Sequence, residues 1–127
     1  MSFTGKTILL LEDNALVSAD LSMMIEDRNG TVIGPFRTCA EGLEALTTDM
    51  PDAALLDVEL LDGASFHVAE RMAADERPFI FYTAKGSEGY NVARSMGAPL
   101  LSKAHSSREA VDMLAMIVEH SSKKPSA

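Results

Sequence analysis

The sequence predicts an α/β fold, a doubly wound parallel sheet of five strands with five helices. Three observations carry this. Five short apolar runs punctuate the chain, a stretch with helical spacing follows each, and the runs do not alternate with polar residues. Runs that are apolar throughout are buried on both faces, and strands separated by helices lie parallel. Five βα units with right-handed crossovers make an open sheet, whereas a closed barrel would need eight.

The first strand is Thr7–Leu11, and Val17, Leu21, Met24 and Ile25 give the following helix an apolar stripe. Asn29-Gly30 reads as the end of that helix, because these residues suit a left-handed cap. The second strand is Thr31–Ile33, stopped by Gly34-Pro35. Thr38-Cys39-Ala40-Glu41 is a capping box, and Leu43, Leu46 and Met50 continue its helix. The third strand is Ala53–Val58, followed by a stripe of Val68, Met72 and Ala73. The fourth strand is Phe79–Thr83. Val92, Ala93 and Met96 form a weaker stripe ending at Gly97, and Gly86 and Gly89 make this helix the least stable. The fifth strand is Pro99–Leu101. A second capping box, Ser106-Ser107-Arg108-Glu109, opens a helix carrying Ala110, Val111, Leu114, Ile117 and Val118. Residues 1–127 form a single domain, with Ser121–Ala127 expected as a frayed polar tail. The eight methionines sit mainly on helical stripes and are expected to fill the core.

A chain of 127 residues builds a full core without metal or disulfide staples. Its 19 acidic against 11 basic side chains give a net charge of −8 with no basic tract. That excludes a general DNA or RNA binder and disfavours an anionic membrane surface, since both need counter-charge. Cys39 is the single cysteine, so no internal disulfide forms, and without a histidine nearby in sequence it reads as a small helix residue. His67, His105 and His120 lack ligand spacing and read as surface residues. The N-terminus has no signal-like apolar region and no run is long enough to cross a bilayer, so the expected location is cytoplasmic.

In open parallel sheets, ligands bind at the carboxyl ends of the strands, beside the point where strand order reverses. In the order 2-1-3-4-5 that point falls between the first and third strands. The first strand ends in Glu12-Asp13, the third reaches Asp57, the fourth ends in Thr83, and Lys103 follows the fifth. Three carboxylates about 5 Å apart repel by roughly 3 kcal/mol per pair at an effective dielectric near 20. A hard divalent cation relieves this, and Mg2+ (or Mn2+) suits a site with few carboxylates and several waters. Lys103 then holds an anionic group on one carboxylate and Thr83 offers it a hydroxyl. Such a set fits phosphoryl transfer to an aspartate, in which the protein positions groups and neutralises charge.

At these residues the chain resembles a response-regulator receiver domain of the flavodoxin-like fold. The resemblance runs through Ile8-Leu9-Leu10-Leu11-Glu12-Asp13-Asn14, Ala54-Leu55-Leu56-Asp57-Val58-Glu59, Phe81-Tyr82-Thr83-Ala84 and Leu101-Ser102-Lys103. It implies that Asp57 accepts phosphate from the phosphohistidine of a histidine kinase or histidine phosphotransfer protein. It also implies that Asp13, Asp57 and the Glu59 backbone carbonyl ligate Mg2+, with Glu12 acting through water, and that Thr83 and Lys103 bind the phosphoryl oxygens. Such a domain is a phosphoprotein that acts on a downstream protein through a changed surface and is not an enzyme on other substrates. The closest type implied is the stand-alone receiver, as in the chemotaxis regulators.

The chain departs from the family pattern in three places. The loop after Asp57 is shorter and lacks its proline, Ala104 replaces the proline after the lysine, and Leu100 replaces the aromatic switch residue. Leu100 has no ring to swing, so the signal is expected to pass through the glycine-containing helix at 86–97. Glu59 and Lys85 each lie two residues beyond a strand-end site residue. Both are expected to reach over the mouth, where Lys85, drawn to Glu59 or to the phosphoryl group, would hinder water. The plainer alternative is two solvated charges. Two other functions compete: a Mg2+-dependent phosphohydrolase working through an aspartyl-phosphate, and a receiver-like interaction module that takes no phosphate. Against the first, Glu12-Asp13-Asn14 stands where haloacid-dehalogenase-like enzymes carry Asp-x-Asp-x-Thr/Val. Against the second stands the complete acidic set.

Overall fold

A computed structural model describes residues 2–122. Its elements are β1 (Thr7–Leu11), α1 (Ala15–Asp27), β2 (Thr31–Phe36), α2 (Cys39–Thr48), β3 (Ala53–Leu56), β4 (Glu59–Leu60), β5 (Gly63–Ala64), α3 (Phe66–Ala74), β6 (Phe79–Thr83), α4 (Glu88–Ser95), β7 (Leu100–Ser102) and α5 (Ser107–Ser122). The parallel sheet runs β2-β1-β3-β6-β7, and β4 pairs with β5 as a separate antiparallel hairpin. With the hairpin set aside, this is the expected order 2-1-3-4-5.

Side chains alternate across a strand, so an all-apolar strand feeds two cores. Ile8 and Leu10 of β1 join Leu55, Ile80 and Tyr82 against Leu21 and Ile25 of α1 and Val111 and Leu114 of α5. Leu9 and Leu11 face the other way, with Leu56 and Phe81, toward Leu46, Val68, Met72 and Ala93 of α2, α3 and α4. Arg28 and Asp112 form an ion pair between α1 and α5. The left-handed cap after α1 is Asn29, at φ 68°.

Several boundaries differ from the sequence reading. Gly34-Pro35 does not stop β2, which continues to Phe36 with a register shift between Leu9 and Leu11 of its neighbour. An edge strand tolerates proline because that residue owes no ladder bond on its open side. β3 ends at Leu56, leaving Asp57 and Val58 beyond the regular strand. The hairpin was not expected; Leu61 and Asp62 form its two-residue turn. α5 includes Ser121 and Ser122, and the rest of the expected frayed tail lies outside the described residues. Met72 is buried, but Met23, Met96 and Met116 are exposed, so the methionines are only partly core. α4 seats only Ala93 fully, leaving Val92 and Met96 on the surface.

Candidate functional site

The strand ends bring the expected residues together. Glu12 follows β1, and its amide donates to the Phe36 carbonyl at 2.9 Å; the Asp57 amide donates to the Leu11 carbonyl at 2.8 Å. These two backbone bonds set Glu12 and Asp57 on neighbouring strand ends. Oxygens of Glu12, Asp13 and Asp57 lie within 4.8 Å of one another. Thr83, at the end of β6, donates its hydroxyl to Asp57 Oδ1 at 2.8 Å, and the Glu59 amide donates to the same oxygen at 3.2 Å. Lys103 Nζ donates to Asp57 Oδ2 at 2.8 Å and to Glu12 Oε2 at 2.9 Å.

Glu12, Asp57 and Thr83 are buried, which makes the electrostatics severe. Burial lifts the Glu12 carboxyl to about 7, and the Asp57 charge adds to that rise. The bonds from Lys103 and from the Asn14 amide pull it back only in part. Burial alone would lower the Lys103 ammonium, but its bonds to Asp57 and Glu12 outweigh this and hold it above the ordinary lysine value. The cation is therefore present throughout the neutral range.

A divalent cation fits this donor set. All three side chains offer hard carboxylate oxygens, and Glu12 Oε1 is buried and accepts no hydrogen bond, although Nζ lies 2.8 Å away. One lysine leaves part of the acidic cluster uncompensated.

The Lys85–Glu59 pairing is not formed. Lys85 is exposed and makes no ion pair among the described residues. Glu59 is exposed too, and its carboxylate lies along α4, with Oε1 3.4 Å from where a Cβ on Gly89 would stand. Leu100 is half-buried among the side chains of the α2–α3–α4 core, paired in register with Phe81. The Lys103-Ala104 peptide is trans; the cis bond among the described residues is Gly34-Pro35. His67 and His105 are exposed, beside Glu70 and Glu109, and His120 is exposed as well. Cys39 is buried.

Three supporting residues were not expected. Asn14 caps α1, its side chain accepting the amides of Leu16 and Val17. Ser65 precedes α3 like an ordinary cap, yet its buried hydroxyl donates to the Asp57 carbonyl at 2.7 Å. Asp62 reaches from the hairpin turn to accept the Cys39 and Ala40 amides at the start of α2, at 2.7 and 3.1 Å. An Asp-Gly turn and a serine before a helical stripe were legible locally, but their distant partners were not.

No protein-family model matches the chain, and no curated protein does. Solved structures do. The chain is similar to the solution structure of SdrG from Sphingomonas melonis Fr1, with a TM-score of 0.75 and 32% identity over 94% of this chain and 99% of that one. The BeF3-activated conformation of SdrG from Pseudomonas melonis Fr1 matches at a TM-score of 0.69, with 30% identity over 92% and 98% of the two chains. The non-phosphorylated HemR receiver domain from Leptospira biflexa matches at 0.78, with 25% identity over 96% and 99%.

Proposed function

Because the chain belongs to the receiver domains of response regulators, we propose that Asp57 is its phospho-acceptor, taking phosphate from the phosphohistidine of a kinase or phosphotransfer protein. The observation that carries this is the convergence on one buried carboxylate of the Thr83 hydroxyl and the Lys103 ammonium, each at 2.8 Å, beside two further acids. An oxygen of Asp57 attacks phosphorus, a P–O bond forms as the P–N bond breaks, and the leaving imidazole keeps the bonding pair and takes a proton. Thr83 and Lys103, which rest on the carboxylate before transfer, then have the phosphoryl oxygens to bind. Asp13, Asp57 and the Glu59 carbonyl would hold Mg2+ or Mn2+, with Glu12 acting through water; the ion, when bound, neutralises charge shared by the phosphoryl group and the carboxylates.

In this reading residues 1–127 act as one receiver domain in the cytoplasm, and the product is an altered surface for a downstream protein. Leu16 and Met23, exposed on α1, offer apolar contact to the kinase or phosphotransfer partner. None of the described helices is long and apolar enough to cross a membrane. The test is incubation with acetyl phosphate and Mg2+ followed by intact mass. One phosphoryl group is expected on the wild type and none on Asp57→Asn. Turnover of small phosphate esters would support a phosphohydrolase instead, and no addition at all an interaction module.

A further inference from the structure

Tyr82 lies one residue before Thr83, so its ring enters the opposite face of the sheet, where it is 3% exposed in the α1–α5 core. A buried phenol needs a partner for its hydroxyl. Tyr82 finds one outside the core, donating to the backbone carbonyl of His105 at 2.6 Å. His105 is two residues beyond Lys103. The Lys103 amide itself donates to the Thr83 carbonyl at 2.8 Å. The end of β6 therefore grips the lysine's loop at both ends, through Thr83 at the lysine and Tyr82 past it.

Apart from the contacts of the Lys103 ammonium, the other bonds of this loop are short-range. The His105 amide donates to the Ser102 carbonyl at 3.0 Å and the Ala104 amide to the Ser102 hydroxyl at 3.2 Å. His105 Nδ1 lies 2.6 Å from the carboxylate of Glu109 on the following helix. These hold the turn to Ser102 at the end of β7 but make no bond to β6, and position 104 is an alanine with no ring to stiffen the turn. Lys103 has a long, flexible side chain that must place Nζ within 3 Å of two carboxylates.

We propose that Tyr82 is a positioning residue for Lys103: its hydroxyl, through the His105 carbonyl, fixes the loop so that the ammonium reaches Asp57. This rests on the reading of Lys103 as the cation that binds the phosphoryl group.

Tyr82→Phe removes one oxygen and keeps the ring. Three measurements apply to it: thermal unfolding, the rate of phosphorylation by acetyl phosphate with Mg2+, and the nitrogen-resolved NMR signal of the Lys103 ammonium. The expected result is an unfolding temperature within a few degrees of wild type, phosphorylation about three- to tenfold slower, and a shifted or broadened Lys103 signal, as suits loss of one neutral hydrogen bond. Adding Tyr82→Phe to Lys103→Ala should slow phosphorylation no further, because the tyrosine acts through the lysine. If Lys103→Ala takes phosphate at the wild-type rate, the reading of Lys103 itself fails. If Lys103→Ala is slow while Tyr82→Phe matches wild type in rate and in the Lys103 signal, the positioning role alone fails. It also fails if Tyr82→Phe does not fold, since the hydroxyl would then hold the fold and not the lysine.

Discussion

The ammonium of Lys103 stands 2.8 Å from the carboxylate of Asp57 across 46 positions of sequence. Both side chains are largely buried, and Glu12 shares the same cation. Removing one partner of a buried pair leaves the other charge uncompensated, so Lys103→Met is expected to cost about 3 kcal/mol of stability without metal. Asp57→Asn alone should leave the fold intact, since it removes a repelling charge. Added to Lys103→Met, it should recover much of that loss. Denaturant titration of the four proteins reads this out, and strictly additive effects would contradict the coupling.

Mg2+ should raise the unfolding temperature by linkage. At a hundredfold excess over its dissociation constant the gain is about 2.7 kcal/mol. Asp13→Ala should lose most of that response while folding normally. A thermal shift indifferent to Mg2+ in the wild type would count against the acidic cluster as a cation site.

Lys85 makes no ion pair in the described structure, which leaves it free to lean toward a phosphoryl group on Asp57. Lys85→Ala is expected to speed phosphate loss up to about tenfold, equivalent to about 1.4 kcal/mol of barrier, with little change in uptake. The check is a dephosphorylation time course by intact mass, where equal half-lives would sink the gate.

Gly89 is on α4 for close approach. A Cβ there would stand 2.6 Å from Val58 Cγ1, on the residue directly after Asp57. In an isolated helix Gly→Ala gains up to about 1 kcal/mol, but overpacking typically costs about 1–3 kcal/mol. Gly89→Ala should therefore loosen α4 from Val58 and raise amide exchange across Glu88–Ser95. In the wild type, BeF3 with Mg2+ should change exchange in the same segment, because Leu100 has no aromatic ring to carry the signal. Unchanged protection of that segment while neighbouring surfaces respond would exclude this route.

Asp62 ties the hairpin to α2, and the Cys39 and Ala40 amides hold its carboxyl below the usual aspartate value. A lowered folded-state pKa means the carboxylate stabilises the fold above the unfolded value, near 3.8, and this contribution is lost as pH falls through the folded one. Asp62→Ala should be less stable than wild type at pH 7, with the gap closing below about pH 4. A gap that persists undiminished in acid would assign the effect to the turn and not to the charge.

What the sequence determined by itself was the architecture and the acidic site. Apolar runs without alternation announce strands buried on both faces, and helices between them force parallel pairing; the order 2-1-3-4-5 is the doubly wound one that sets the polar strand ends side by side. Glu12, Asp13, Asp57, Thr83 and Lys103 were legible because a parallel sheet carries its strand ends to one edge. Tertiary structure decided the contacts between elements. Gly34-Pro35 looks like a stop until β2 is seen as an edge strand. Glu59 and Lys85 are matched in spacing, yet Glu59 turns along α4, with its carboxylate beside Gly89. Asp62, Ser65 and Tyr82 are an ordinary turn residue, cap and strand aromatic by local rules. Their partners, Cys39, the Asp57 carbonyl and the His105 carbonyl, lie 23, 8 and 23 residues away. Periodicity says which face a side chain takes, because it repeats within one element. Which atom it meets depends on how separate elements pack, and no local pattern encodes that.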